Sequence, residues 1–319
     1  MRDAIKNRKY DVCNDREGVG FMSLRYAIGV DIGGTKIATT IIDQHYDIHY
    51  RKEVPSVTTN AESMFTQVVN CIEALVDESS MDINDFEGMG VGVPGKVDQE
   101  AGIAVFQNNI PWPNFPLVKR LQDYFSIENV FIDNDVYMAT LAEWQVHGGS
   151  IEETFVYLTI STGISCAIID KGSFIRGAGF AGEMGLLPVK APLHPDAIAG
   201  FEKVAAGPAI QKMGQDRQWT TEDVLNFYQK KDPEAIKIMN SVIASIAHSV
   251  YAMICMIDPH KIVFGGGVMN NHPYLIEKVK EQLTPYLVGE QKGSLDRLYV
   301  SHNKGDAGII GAAFKVFQK

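Results

Sequence analysis

The sequence contains no run of Lys or Arg, and its 29 basic residues are outweighed by 39 acidic ones, leaving a formal net charge of −10. That balance argues against a broad nucleic-acid or anionic-membrane surface, since such partners need a basic face. Cysteine is sparse: Cys13, Cys71, Cys166 and Cys255 are scattered, with no Cys-x-x-Cys. Neither a disulfide framework nor a cysteine metal cage is indicated, and buried thiols in a reducing cytoplasm are expected. No uninterrupted apolar run approaches the roughly 18–20 residues of a membrane span. Residues 1–21 are polar and lack the apolar core of a signal peptide. Histidines do not assemble either: His194 is flanked by prolines, His248 sits in an apolar helical stretch, and His302 precedes Asn-Lys. The Walker A spacing is missing, and the first glycine pair is not part of a Gly-x-Gly-x-x-Gly turn.

What is present describes a globular protein with room for two cores, at 319 residues, 45% hydrophobic and 21% charged. Residues 1–24 are set aside as an extension outside the fold. From Tyr26 to Val54, three β-prone runs separated by Gly33-Gly34 and by Asp43–Asp47 predict an antiparallel meander. Ala61–Ser80 has helical periodicity behind Asn60 as N-cap. A glycine-spaced strand at Phe86–Val93, a helix at Phe115–Phe125 and a short strand at Val130–Ile132 follow. Asp133-Asn134-Asp135 then leads into a helix over Val136–His147. Thr154–Ile160, Ile164–Asp170 and Ser173–Arg176 repeat the strand, glycine turn, strand order of the opening block, so two copies of one unit are expected. A Gly- and Pro-rich loop spans Gly177–Pro195. Helices are predicted over Ile198–Met213, Thr221–Gln229, Pro233–Ile257, Tyr274–Leu287 and Ala307–Phe317, and strands at Lys261–Phe264 and Leu298–Val300. Strands alternating with helices imply mixed sheets flanked by helices.

Three glycine clusters follow strands: Gly33-Gly34 within Asp31-Ile32-Gly33-Gly34-Thr35-Lys36, then Ser161-Thr162-Gly163, then Gly265-Gly266-Gly267. Each alone is compatible with a plain turn. Together they are compatible with a nucleotide lying across two lobes. Asp135, where a strand gives way to a helix, is the candidate general base, because ligands collect at strand ends in α/β folds. A plain N-cap is the competing reading. Asn109, near Pro111-Trp112, suits a sugar, as do Asn134, Glu183 and Glu202 as partners for hydroxyls; a structural loop and surface carboxylates are the alternatives.

Taken in order, these segments resemble the ROK family of repressors, uncharacterised frames and sugar kinases. The likeness runs from about Tyr26 to Phe317. It also includes Val91-Gly92-Val93-Pro94-Gly95, Gly182-Glu183-Met184-Gly185 and Phe201–Gly207 around Glu202. The resemblance implies a two-lobed actin-like ATPase (ribonuclease H-like) fold, with a cleft between a smaller lobe (25–134 plus 306–319) and a larger one (135–305). It implies transfer of the γ-phosphoryl of ATP to a hexose hydroxyl, commonly the 6-OH, with Asp135 as base. Asn109, Asn134, Glu183 and Glu202 would hold the sugar. Asp31 would orient Mg²⁺ through water. Gly33, Gly34, Thr35, Lys36, Thr162, Gly163, Gly265, Gly266 and Gly267 would hold the nucleotide. A homodimer is also implied. The four zinc-ligand positions of many members read Leu186, Leu193, Pro195 and Gly200 here, so no zinc site is expected. Leu186 stands where a histidine normally meets the sugar's C1/C2 side, which makes that end less polar. That counts against strict glucose specificity and suits a 2-acetamido group or a 1-O-substituent. Glucose is still the leading substrate, with N-acetylmannosamine, a β-glucoside or fructose as rivals. A sugar-responsive repressor would need a helix-turn-helix, for which the residues before Tyr26 hold no amphipathic pair. A non-catalytic sugar-binding protein could dispense with Asp135 and the glycine loops.

Overall fold

The computed structural model describes residues 24–107, 109–191, 193 and 197–318. Residues 1–23 of the expected extension, Asn108 beside the Asn109 segment, the proline-flanked His194 and the zinc position Pro195 lie outside the described residues.

The first half is built on β1 (Tyr26–Ile32), β2 (Lys36–Asp43) and β3 (Ile48–Pro55). All three pair antiparallel as the periodicity predicts. Helix α1 (Ala61–Ser79) is capped by Asn60, whose side chain accepts from the Ser63 N–H. Its Met64, Val68, Ile72 and Leu75 are fully buried at helical spacing. Then come β4 (Phe86–Val93), the hairpin β5 (Lys96–Asp98) and β6 (Ile103–Phe106), α2 (Leu117–Phe125), β7 (Val130–Asn134) and α3 (Asp135–Val146). The five-stranded sheet has the order β3-β2-β1-β4-β7, with β4 parallel to both β1 and β7.

The second half repeats this plan. Strands β8 (Thr154–Ile160), β9 (Ile164–Asp170) and β10 (Ser173–Phe174) form the second meander. With β13 (Lys261–Gly265) and β14 (Leu298–Val300) they make the order β10-β9-β8-β13-β14, again with the last two strands parallel to the first of the meander's chain order. Between β10 and β13 lie β11 (Pro188–Lys190), β12 (Ile198–Gly200), α4 (Glu202–Ala205), α5 (Gly207–Met213), α6 (Thr221–Gln229) and α7 (Pro233–Ile257). Helices α8 (Gly267–Asn271) and α9 (Leu275–Leu283) precede β14, and α10 (Ala307–Phe317) closes the chain. By length and composition α7 could cross a membrane. Its Ile238, Val242, Ile246 and Val250 are instead packed in the core of the second half.

Three expectations are corrected. The single helix over 198–213 is a strand and two short helices. Gly200 pairs with Pro188 in the β11–β12 ribbon, and Ala206 adopts an extended backbone (φ −72°, ψ 159°) before Pro208 restarts the helix. The loop drawn from 177 to 195 contains β11, and the helix from 274 to 287 stops at Leu283 in a 3₁₀ turn containing Pro285.

Helix α10 returns to the first sheet. It lies so close that a Cβ on Gly29 would come within 2.1 Å of the Ile309 carbonyl oxygen, and one on Gly90 within 1.7 Å of that of Ala312. Gly311 in turn lets α3 approach, since a Cβ there would meet the Met138 carbonyl oxygen at 1.7 Å. Between the two sheets α3 and α10 thus pack backbone to backbone. The ends of β1, β4 and β7 meet α3 at one place.

Candidate active site

The first glycine turn is a tight hairpin. Gly33 N–H donates to the Lys36 carbonyl at 2.9 Å, and β1 and β2 stay in register down to Ile32 opposite Ile37. Ser56, which no sequence pattern singled out, props the turn: its Oγ donates to the Gly33 carbonyl at 2.6 Å and its N–H to that of Thr35 at 2.9 Å. Gly34 touches Asn109, because a Cβ at Gly34 would sit 2.6 Å from Asn109 Cβ. A predicted nucleotide loop and a predicted sugar residue are therefore neighbours. Lys36 stands apart. Its Nζ bonds Glu53 Oε2 at 3.0 Å, in an ion chain that continues through Arg51 to Asp306.

Asp31, one residue before the end of β1, lies on the row where Gly92 of β4 faces it and Asp133 of β7 faces Gly92. Gly92 leaves room for two acids: a Cβ there would lie 3.6 Å from Asp31 Oδ1 and 3.4 Å from Asp135 Cα. The Asp31 carboxylate also rests against the start of α10, 3.1 Å from a Cβ built on Gly308. Burial, reinforced by the Asp135 charge and opposed by Lys36 and Arg51, raises the Asp31 pKa to about 7.

The competing N-cap reading of Asp135 is resolved one residue earlier. Asn134 is the cap of α3: its Oδ1 accepts the Val136 N–H at 2.9 Å, and its Nδ2 donates to the Gly95 carbonyl at 3.0 Å. Asn134 is thus held by both ends of its amide. Asp135 becomes the first helical residue, with Oδ1 also 2.9 Å from the Val136 N–H. Burial pushes its pKa up to about 6; backbone N–H groups pull down and the Glu183 charge pushes up. A carboxylate half-ionised near pH 6 is placed to take a proton at neutral pH.

The second glycine turn joins β8 to β9, with Ser161 N–H donating to the Gly163 carbonyl at 2.9 Å. Glu202 braces it. Its Oε2 accepts the Ile164 N–H at 2.9 Å and would lie 2.8 Å from a Cβ on Gly163. Thr162 is exposed at the tip. The break at Ala206 brings Gly207 to the same turn, where its N–H donates to the Ser161 carbonyl at 2.8 Å. Glu183 follows Gly182, a left-handed residue (φ +94°) whose Cβ would collide with the Cys166 carbonyl oxygen at 1.9 Å.

The third cluster divides by role. Gly265 makes room for the Tyr157 ring, whose Oη would be 1.9 Å from a Cβ there. Gly266 (φ +81°) packs on the Ile160 backbone, with a would-be Cβ at 2.3 Å from its carbonyl oxygen. Of the three, only Gly267 has no described residue within 4 Å of its Cβ position.

The chain matches the ROK family model over residues 27–319. It belongs to the ROK family. A glucokinase of Halalkalibacterium halodurans is 25% identical over 322 residues, covering 93% of this chain and 97% of that protein. An N-acetyl-D-glucosamine kinase of Histophilus somni is 27% identical over 307 residues, covering 91% and 98%. Among solved structures, a ROK family glucokinase from Streptomyces griseus, determined with glucose and AMPPNP, superposes with a TM-score of 0.76 at 22% identity, over 92% of this chain and all of that one. The fold is the actin-like ATPase fold that the ROK resemblance implied, two mixed sheets flanked by helices.

Proposed function

We propose that this ROK family member is an ATP-dependent hexose kinase, with Asp135 as general base. The observation that carries the reading is the carboxylate pair at the meeting of β1, β4 and α3. Asp135 is held free of the cap role with its pKa near 6, and Asp31 lies across Gly92 from it. Two half-buried acids with raised pKa values, Asp31 by burial and the Asp135 charge and Asp135 by burial and the Glu183 charge, fit a divalent cation, which would relieve both. Mg²⁺ bound with ATP would neutralise charge on the transferring phosphoryl group. Asp31 would hold that ion, and the turns at Gly33–Thr35 and Thr162–Gly163, with Gly267, would border the nucleotide.

This chain's own residues then do the positioning. Asn109 sits against the first turn and Glu183 adds its charge beside Asp135, so sugar hydroxyls would be gripped between the two loops. Asn134 orients the base through the cap and has one amide hydrogen left for the substrate. Asp135 accepts the proton of the attacking hydroxyl, which leaves a carboxylic acid and an alkoxide-like oxygen aimed at phosphorus. Closure of the two halves would exclude water as a competing acceptor.

Glucose is the first substrate to test. A 2-acetamido hexose is the second, because Leu186, three residues after Glu183, is 70% exposed and offers an apolar surface. Histophilus somni's relative named for N-acetyl-D-glucosamine supports trying it. ADP release should be followed with glucose, N-acetylmannosamine, fructose and cellobiose. Sugar-stimulated turnover is expected, and Asp135→Asn should reduce it by about 10²–10⁴-fold. Absence of stimulation by every sugar would sink the kinase reading.

A further inference from the structure

Asp133, one residue before Asn134, has a side chain only 3% exposed at the end of β7. Its carboxylate accepts a fork from Arg176, at 3.2 Å from Nη1 and 2.6 Å from Nη2, and the Asn134 N–H at 2.8 Å. The Arg176 guanidinium is stacked as well as bonded, 4.4 Å from the Tyr137 ring centroid and 5.2 Å from that of Phe174. This pair joins the last strand of the first sheet to the chain leaving the edge strand of the second.

Arg176 begins the segment that ends at Glu183. At its far end the segment is fixed by the Cys166 N–H, which donates to the Gly182 carbonyl at 2.8 Å, and by Tyr137 Oη, 3.4 Å from the Ala181 carbonyl. Between these points contacts are thin. Among the described residues nothing lies within 4 Å of the Cβ position of Gly179, and Phe180 is 78% exposed. The near end is held by the Ile175 N–H, which donates to the Ile168 carbonyl at 2.9 Å, and beyond it by the Arg176 side chain, whose fork on Asp133 ties it to the first sheet. Asp133 in turn precedes the base by two residues on the same rigid strand-to-helix junction.

We propose that Asp133 and Arg176 form a positioning pair that sets Glu183 against Asp135, and so places the sugar hydroxyl against its base. The proposal rests on the hexose-kinase reading. A planar fork on a carboxylate fixes direction as well as distance, which an ammonium or an apolar contact at the same place would not. Among the described residues, the proposed nucleotide turns at Gly33–Thr35 and Thr162–Gly163 share no hydrogen bond with the pair, so its loss should fall on the sugar.

The test compares full-length Arg176→Met and Arg176→Lys with the wild type. Glucose and N-acetylmannosamine binding are measured by calorimetry without nucleotide, and kcat and both KM values by ADP release. Arg176→Met should lower kcat/KM for the sugar by about 10²-fold and weaken sugar binding, with the ATP KM within about twofold of wild type. Arg176→Lys should fall between. Equal losses toward sugar and ATP, or unaltered sugar binding in Arg176→Met, would overturn the pairing role. If circular dichroism shows Arg176→Met unfolded, Arg176→Lys and Asp133→Asn decide by the same split. A wild type that binds sugar but releases no ADP refutes the kinase reading alone, and the binding comparison still judges the pair. A wild type that binds neither sugar removes both.

Discussion

At the scale of single residues, the two cleft acids act on pH in a way that separates stability from catalysis. Asp31 and Asp135 both have folded-state pKa values above the 3.8 of a free aspartate, at about 7 and about 6. A raised acid favours the folded state in its protonated form. Its contribution is greatest below pH 3.8 and is lost as pH rises through 6 and 7. In ligand-free protein at pH 8, Asp31→Asn or Asp135→Asn should therefore raise stability, by on the order of 1–3 kcal/mol, read as a higher Tm. Activity should move oppositely, since the base must be ionised: kcat/KM of the wild type should fall on the acid side with an apparent pKa near 6. A Tm lowered by both substitutions would contradict the assigned pKa shifts. The sequence could single out Asp135 as a carboxylate at a strand-to-helix junction, but an N-cap was the equally natural use of it until the structure gave the cap to Asn134. Arg176 was not legible in the sequence, because nothing local marks an arginine whose partner lies 43 residues away in another sheet.

At the scale of elements, strands and long helices follow from apolar periodicity and caps. Pro233–Ile257 and Ala307–Phe317 have the bounds expected from their apolar pattern. The stretch 198–213 does not, because its local pattern suits a helix while two long-range bonds interrupt it: Gly200 pairs with Pro188, and the Gly207 N–H is taken by Ser161. That second bond places the break at the Ser161–Gly163 turn, which we propose borders the nucleotide. Close helix packing was equally hidden, since Gly29, Gly90 and Gly311 look like ordinary glycines until α10 and α3 are laid on them. Gly311→Ala should destabilise the protein severely, by about 3 kcal/mol or more, because the methyl group would need the space of the Met138 carbonyl. Urea unfolding of Gly311→Ala beside Gly305→Ala, which meets nothing within 4 Å, measures the difference.

At the scale of the whole molecule, a second buried acid ties the halves together. Glu143 of α3 is fully buried and accepts from Ser301 Oγ at 2.7 Å, the His302 N–H at 2.9 Å and the Asn303 N–H at 2.9 Å. Burial works to raise its pKa, but the His147 ring 3.6 Å away and the bonds from Ser301 and the two N–H groups outweigh it and hold the value below 4.5. A depressed acid stabilises the fold above its unfolded pKa and ceases to do so as pH falls through the lower folded value. Glu143→Gln should thus cost about 1–3 kcal/mol at pH 7, with the deficit shrinking below about pH 4. Chemical denaturation at pH 7 and pH 3.5 tests both halves of that statement. The repeated strand order of the two sheets was readable from their meanders, whereas this tie was not, because its partners come from the 301–303 turn that sequence alone leaves blank.

The return of α10 to β1 and β4 has a consequence for how the molecule is made. The face of the first sheet that α10 covers is laid down near residue 30 and stays open until residues 307–317 emerge from the ribosome. The first half cannot be finished before the second is synthesised. For most of its synthesis the nascent chain presents a two-strand apolar surface, the kind of surface that chaperones hold and that aggregates when they are absent.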